Sequence, residues 1–475
     1  MWLIVLGCLP LAGAVVTWWL RGVMRPIVGL IFAVATLGLA GYVTAIRDSQ
    51  TFSHSWIPQV GAWFAMRLDG LSALLVLVSA GIVAVVMLVK LAPSGDETPS
   101  FVPLALALEG LTLFTFMADD ALLFFLFFEA TLVPMYFLIA SGGDARRSAA
   151  ALKFLLFSLA GGLVLLGGII YLMVADQGLR FSDLANLNIS PAMQQVLVLV
   201  FFIAFAVKAP LVPLHPWLPD AVEHGQRTSS LLLVGLLDGI GLYGMVRFCI
   251  GVTPQGASWA AFAIEIVAVV TIVYGALAAV ASPSLMRLAA FASISHAGFM
   301  VLGLFGLTQV SMTGAMTYVG AHALSASALL LVAEQVVQRR GDTLHHGAFG
   351  GLARRAPVLA GVFLVAGLAT LSLPGTANFA AELMVIMGAW ARFPVVTAVS
   401  LIGVLAAAVY VLWTYQRVFT GDADGPPNDI GPIHRLAIGL LLAAVIALGV
   451  YPSAMQQLVT PNVTTAVQQT QEGGG

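Results

Sequence analysis

Apolar stretches about as long as a bilayer is thick recur along this chain from one end to the other, with no Ser-, Gly- or Pro-rich linker separating them. A helix needs about 20 mostly apolar residues to cross the hydrocarbon core. Lipid offers the backbone no hydrogen-bond partner, so only helices or closed barrels can span it. The strict alternation of barrel strands is absent. The predicted fold is therefore all-α and integral to the membrane, a single domain over residues 1–475. About fourteen spans can be placed, near residues 2–20, 26–46, 69–91, 101–118, 120–140, 151–174, 194–213, 229–250, 257–280, 285–307, 312–337, 357–380, 394–416 and 433–452.

Composition agrees: 60% of the residues are hydrophobic and 9% charged, against roughly 25% charged in a soluble domain. The net charge of −2 gives no reason to expect nucleic acid or an acidic partner. Membrane lipid is the expected surround. Cys8 and Cys249 both fall inside apolar spans without a pairing or metal-ligand pattern. No Gly-rich nucleotide fingerprint and no cysteine cluster for iron–sulfur binding occurs, so no cofactor or metal is expected in this chain. The first span is longer and more apolar than a cleaved signal peptide and reads as a retained helix. Arg21, Arg25, Arg146, Arg147, Lys153, Arg339, Arg340, Arg354 and Arg355 all fall on one side of this helix count. The positive-inside rule makes that side cytoplasmic and puts both termini outside. The segment from Gly421 to Asp429 reads as a solvated loop, and the tail from Gln468 to Gly475 as disordered.

Charge inside a span is expensive and is a functional-site hypothesis by default. Glu129 lies in LLFFLFFEATLVPMYF, well inside the fifth span; the structural alternative is a helix-packing hydrogen bond. Lys208 follows a long apolar run and precedes Pro210 and Pro213. Each proline removes an N–H and strips a partner from the carbonyl four residues back, here those of Ala206 and Ala209. Such a break should line a wet cavity, the alternative for Lys208 being snorkelling to the interface. A second break stands at Pro374 and Gly375, with Glu382 two turns further on. Paired broken helices are the sequence pointer to an inverted-repeat transporter. His296 and His322 are intramembrane groups that could both accept and donate a proton, or could simply be satisfied core residues. Lys153 either enters the sixth span or caps its cytoplasmic end. Glu109, Asp238, Glu265 and Glu334 are similarly open, and Asp69 stands at a span boundary where it could cap a helix.

At these residues the sequence resembles the antiporter-like (Mrp-type) subunits of respiratory complex I, the proton-pumping NADH:quinone oxidoreductase. The matching stretches run from RLDGLS through FFEATLVPMYFLIA, AFAVKAPLVPLHPWLPDA, MRLAAFASISHAGFMVLG and FGGLARRAPVLAGVFLVAGLATLSLPGTANFAAEL to YVLWTYQRVFTG, about residues 65–420. VPMYFLIA favours the subunit M branch over its sisters. The resemblance implies fourteen helices with two inverted five-helix repeats, here residues 101–250 and 257–416, broken at spans seven and twelve. It implies that Glu129, Lys208 and Glu382 carry protons, that His296 and His322 relay them, and that Lys153 is the sixth-span lysine. Partners would be the other membrane subunits of complex I, sister antiporter-like subunits included, in a bacterial inner membrane. Redox chemistry would belong to other subunits.

One position departs from that pattern. Where the family usually carries a lysine in the eighth span, this chain reads LLDGIGLYG and has Gly239, and the loop DAVEHGQRTSSL lacks the usual proline. The central connection of the relay thus loses its customary proton carrier. In the expected mechanism Glu129 tunes Lys208; at a spacing near 4 Å and an effective dielectric near 20 the pair is worth about 4 kcal/mol, enough to switch a buried lysine. Two rival readings remain. One is a subunit of a cation/proton antiporter complex or membrane-bound hydrogenase; the other is a haem-binding electron carrier using His296 and His322 as axial ligands.

Overall fold

In the computed structural model, the described residues are 1–475 apart from 48–49, 93–97, 176–177, 185–186, 188, 341–349, 422–427 and 473–475. Two helices, α1 (Trp2–Trp19) and α2 (Met24–Ala45), are followed by an antiparallel hairpin of β1 (Thr51–Ile57) and β2 (Ala62–Arg67), then α3 (Gly70–Val89) and α4 (Phe101–Met117). The fifth span is split at Thr131 into α5 (Ala121–Ala130) and α6 (Leu132–Ala140). Next come α7 (Arg147–Ala175), the short α8 (Phe181–Leu184), α9 (Pro191–Lys208) and α10 (Trp217–His224). The eighth span holds α11 (Ser229–Leu232) and α12 (Asp238–Gly244), each followed by a π-helical segment, Leu233–Leu237 and Met245–Ile250. The second half contains α13 (Pro254–Ala281), α14 (Leu285–Phe305), α15 (Gln309–Arg340), α16 (Leu352–Arg355), α17 (Pro357–Thr370), α18 (Ala377–Trp390), α19 (Pro394–Phe419), α20 (Pro432–Val450) and α21 (Ser453–Glu472).

Twelve of the described spans are long and apolar enough to cross a membrane on their own. The 17-residue α4 and the interrupted pair α17 and α18 occupy the other two predicted spans. Burial sorts them into two classes. The bilayer-length cores of Ser229–Ile250, α14 and α15 are enclosed by protein, whereas in α1, α2, α7, α19 and α20 well over half of the corresponding positions are not buried. Leucine and valine lose nothing by facing lipid tails, so the outer helices show an apolar rim. The enclosed helices are the ones that can carry polar groups at membrane depth. α14 packs between α13 and α15, and α15 is also flanked by α3, α17, α18, α20 and α21.

The two helix interruptions occur where prolines place them. After α9 ends at Lys208 the chain runs through a cis Val212–Pro213 bond to α10. The predicted orphan carbonyl of Ala206 is in fact taken by the Leu211 N–H at 2.9 Å. The break is further stitched by the Trp217 indole N–H on the Val207 carbonyl (2.9 Å) and the Val212 N–H on Thr271 (3.1 Å). Protein groups thus take the Ala206 and Val207 carbonyls and the Val212 N–H at this break. The second interruption separates α17 from α18, with Ser372 (φ 59°) and Gly375 (φ 95°) both left-handed. Glycine adopts such a φ freely, while serine there is a strained choice of the kind that clusters at functional sites.

Two other expectations are settled by the described residues. Asp69 does cap α3: its carboxylate accepts from the Ser72 N–H (3.0 Å) and pairs with Arg247 (2.5 Å). The predicted disordered tail is helical up to Glu472. Met455, Val459, Val463, Ala466 and Val467 recur at helical spacing and are buried, and Asn462 donates to Asp69 at 3.0 Å, so α21 lies against the bundle. Of the predicted solvated loop, residues 422–427 lie outside the described residues. Asp429, at its end, accepts from the Val358 and Leu359 N–H groups at the start of α17. The Arg340 side chain also lies outside them.

Candidate functional site

The site is a set of titratable side chains on α5, α9, α14, α15 and α18, of which Lys208, His296, His322 and Glu382 are buried and Glu129 is half-buried. At one end, Glu129 sits on α5 two residues before the split at Thr131. Its carboxylate rests over Gly162 of α7, where a Cβ would come within 1.8 Å of Glu129 Oε1. The adjacent Gly161 faces α9 at Ala204 and Val207. The paired glycines thus let α7 approach α9 on one side and make a seat for a carboxylate on the other. Lys208, at the last turn of α9, is 1% exposed, and its Nζ has no hydrogen-bond partner. The rings of Phe128 and Phe154 lie 5.1 and 5.6 Å from that nitrogen, within cation–π range. Glu129 and Asp238 are both within electrostatic reach. The two expected partners, Glu129 and Lys208, do not form a contact ion pair. The ammonium stands on aromatic faces, and the carboxylate acts on it from beyond 4 Å.

At the other end the geometry is tighter. The His296 and His322 rings, from α14 and α15, pack with centroids 5.0 Å apart. His296 Nδ1 is 2.7 Å from the Tyr318 hydroxyl, and that hydroxyl donates to Glu382 Oε2 at 2.5 Å. Ser372, held left-handed in the helix break, donates to the same oxygen at 2.6 Å. A phenol has one hydrogen. With it committed to Glu382, His296 Nδ1 must carry the hydrogen it shares with Tyr318, which fixes the tautomer through the network. His296 Nε2 is then a bare acceptor, and neither it nor either nitrogen of His322 has a hydrogen-bond partner. A proton taken at Nε2 can thus be matched by one leaving from Nδ1 through Tyr318 to Glu382.

Between the two ends lies a cavity of about 10 Å³, measured as room open to the centre of a water molecule, bordered by Asp238, Gly239, Ser293, Val319 and His322 among others. Lys153 is placed elsewhere. Its Nζ is 2.7 Å from Asp220 Oδ2, and Arg287 bridges Asp220 (3.1 Å) and Glu223 (2.6 Å) in the same cluster. Among the groups left open by the sequence, Glu334 accepts from Gln338 (3.1 Å) and Thr228 (3.4 Å). Glu109 and Glu265 are buried with both oxygens unpartnered.

The profile of the family described as NADH:quinone oxidoreductase/Mrp antiporter, TM matches residues 118–408. Subunit M of the NADH-quinone oxidoreductase of Mycobacterium tuberculosis is 35% identical over 515 aligned positions, which take in 97% of this chain and 93% of that protein. The chain belongs to this family. Subunit M from Pseudomonas aeruginosa is also 35% identical, over 84% of this chain and 81% of its own. Among solved structures, respiratory complex I from Thermus thermophilus with bound NADH contains a chain that matches with a TM-score of 0.91 at 29% identity, covering 98% of this chain and 99% of that one. A chain of the Mrp complex from Dietzia matches with a TM-score of 0.87 at 20% identity, a likeness of fold.

In this NADH:quinone oxidoreductase/Mrp antiporter chain, the sequence points to the titratable residues at both ends but not to the hydroxyls that join His296 to Glu382. Tyr318 precedes His322 by four residues, one helical turn on the same face, and that spacing was the available signal. Ser372 stands two residues before Pro374. Gly162 gave no signal, because a seat for a side chain from another helix leaves no local pattern.

Proposed function

We propose that this chain is a proton-translocating, antiporter-like membrane subunit of a proton-pumping NADH:quinone oxidoreductase, and that Glu129, Lys208, His322, His296 and Glu382 carry its protons. The observation behind this reading is the enclosed line of titratable groups: a lysine with no hydrogen-bond partner at one end, and a closed His–Tyr–Glu chain at the other. Buried ionisable groups of this kind mark ion pathways in membranes. Lys208 holds its proton on aromatic faces under the distant charge of Glu129. When that charge is neutralised or withdrawn, the buried ammonium loses its main compensation and gives the proton up. The receiving end delivers it through His296 and Tyr318 to Glu382. Lys153, tied to Asp220, sits upstream as an entry group.

The same reading takes residues 101–250 and 257–416 as two inverted repeats, each with an interrupted helix, after Lys208 and between Thr370 and Ala377. It places the basic loops in the cytoplasm and both termini outside, in a bacterial inner membrane. NADH and quinone chemistry lie in partner subunits, with no redox group in this chain. A haem between His296 and His322 would need a macrocycle's room, whereas the two rings pack 5.0 Å apart. Service in a cation/proton antiporter complex or a hydrogenase is the remaining rival, and the 35% identity to subunit M over nearly both whole chains favours complex I.

The test is Glu129→Gln in the assembled complex, reconstituted in vesicles. Quinone-coupled turnover and acidification are expected to fall together, and Asp at 129 to restore part of both. Unchanged acidification in the Gln variant would defeat the reading. Co-purification without NADH-oxidising subunits would point to the rival.

A further inference from the structure

Gly239 removes the side chain that would ordinarily bridge the two ends of the line, and the structure offers a replacement one residue earlier. Asp238 is 5% exposed, in an eighth span wholly enclosed by protein, and neither of its carboxyl oxygens has a hydrogen-bond partner. A buried carboxyl left without partners costs several kcal/mol, so a purely structural acid would be replaced at little loss. The π-helical segment Leu233–Leu237 ends immediately before it, a distortion frequent at functional sites.

Asp238 faces both ways. Its helix packs directly on the end of α9: a Cβ on Gly241 would lie 2.8 Å from the Ala209 nitrogen, and one on Gly244 would meet the Phe205 ring. This close approach brings Asp238 within electrostatic reach of Lys208. On its other side Asp238 borders the cavity of about 10 Å³ that His322 and Ser293 also line. A water needs about one probe sphere of room and two to four polar partners. Asp238, His322 and Ser293 are the three residues with polar side chains on its otherwise apolar border. The Ser293 hydrogen is committed to the Ala289 carbonyl at 3.1 Å, leaving its oxygen to accept.

We propose that Asp238 is the central proton carrier of this chain, standing in for the lysine absent at Gly239, and that one water in the cavity beside Gly239 connects it to His322. At rest neither Lys208 Nζ nor the Asp238 carboxyl has a bonding partner, so in the forward step the lysine side chain swings to an Asp238 oxygen and gives it a proton, leaving a neutral amine and a neutral carboxylic acid. The acid then donates to the water, which passes a proton to His322, and the carboxylate is restored. From His322 the proton moves to His296 Nε2 while Nδ1 releases one through Tyr318 to Glu382. Carboxylate replaces ammonium as the bridging group, so the middle of the line cycles between −1 and 0 instead of +1 and 0. Lys208 therefore has two acidic groups within electrostatic reach, Glu129 and Asp238.

This inference rests on the proton-translocating reading, and the experiment separates the two. The intact complex carrying Asp238→Asn, Asp238→Glu, Asp238→Asn with Gly239→Lys, or Lys208→Ala is reconstituted in vesicles and energised with NADH. Asp238→Asn is expected to lower acidification by roughly an order of magnitude, at the low end for a lost proton-transfer group. Glu at 238 should keep most of it, and Gly239→Lys should restore part of what Asn removes. Infrared difference spectra on turnover should show a carboxylic acid band that moves in Asp238→Glu and is missing in Asp238→Asn, a signature no packing role would produce. The Glu variant keeps that test open if the Asn variant does not assemble. Full acidification by Asp238→Asn beside an inactive Lys208→Ala overturns the inference alone. Full acidification by both overturns the proton-carrying reading as well. An absent or unshifted carboxyl band in Asp238→Glu also overturns the assignment.

Discussion

The Tyr318 hydroxyl donates to Glu382 Oε2 at 2.5 Å while standing 2.7 Å from His296 Nδ1. One phenol therefore joins an imidazole on α14 to a carboxylate on α18, and no other described side chain bonds both. Tyr318→Phe keeps the ring and its packing but removes the oxygen that both neighbours use. The His296 N–H is left buried without an acceptor, at a cost of about 1–3 kcal/mol. Acidification in vesicles should fall about tenfold or more while the complex still assembles, and the thermal midpoint of the subunit should drop. A Phe variant that pumps like the parent would mean that His296 passes its proton by another route.

At Lys208 the expected outcome depends on chemistry more than charge. Arginine would preserve the positive charge and the aromatic contacts to Phe128 and Phe154, yet a guanidinium does not release its proton at any accessible pH. Lys208→Arg should assemble and pump as poorly as Lys208→Ala. If Arg supports full turnover and acidification, the position supplies a fixed charge and the proton travels past it.

Gly162 tests the seat of Glu129 without touching a charged residue. A methyl group there would lie 1.8 Å from Glu129 Oε1, so the carboxylate must swing away. At Gly161 an added methyl meets Val207 and the Ala204 carbonyl no closer than 3.1 Å, a milder intrusion. Gly162→Ala should lower quinone-coupled turnover in the direction of Glu129→Gln, with Gly161→Ala less affected. Equal turnover in Gly162→Ala and parent would show that the carboxylate has an equivalent resting place.

Much of this architecture is readable from residue order because lipid imposes a simple rule: each span must be apolar for about 20 residues, so span count and each interior charge stand out. The breaks were legible too, since Pro210, Pro213 and Pro374 cannot continue a helix. What filled the breaks was not. The Ala206 carbonyl finds Leu211, and Thr271 of α13 meets Val212, contacts that depend on a neighbour's position in space. The 4 Å spacing assumed for Glu129 and Lys208 was likewise a guess about packing, and aromatic rings occupy the place of the carboxylate. α21 escaped notice because its buried face is short and its other face is polar, and the hairpin of β1 and β2 lies in a stretch too brief to announce itself. Tyr318 looked like any core aromatic until α18 brought Glu382 to it.

The last prediction turns on volume at Gly239. An alanine there would place its Cβ 3.3 Å from Val319 Cγ1, 3.9 Å from Leu75 and 4.0 Å from Phe116, a fit that asks Val319 to give by a few tenths of an ångström. Alanine also favours the helix by roughly 0.5–1 kcal/mol over glycine, so Gly239→Ala should be close to neutral in stability and leave most of the neighbouring cavity open. Leucine adds three further carbons on the same side, where the free space is only about 10 Å³. It must fill that space and press on Val319, an overpacking cost of about 1–3 kcal/mol that a bundle of this size can absorb. Neither substitution adds or removes a titratable group. If a water beside Gly239 carries protons between Asp238 and His322, Leu should lower acidification sharply while Ala does not, in complexes assembled to the same extent. Parallel behaviour of the two variants at the parent's rate would show that the connection between the two ends does not pass through this space.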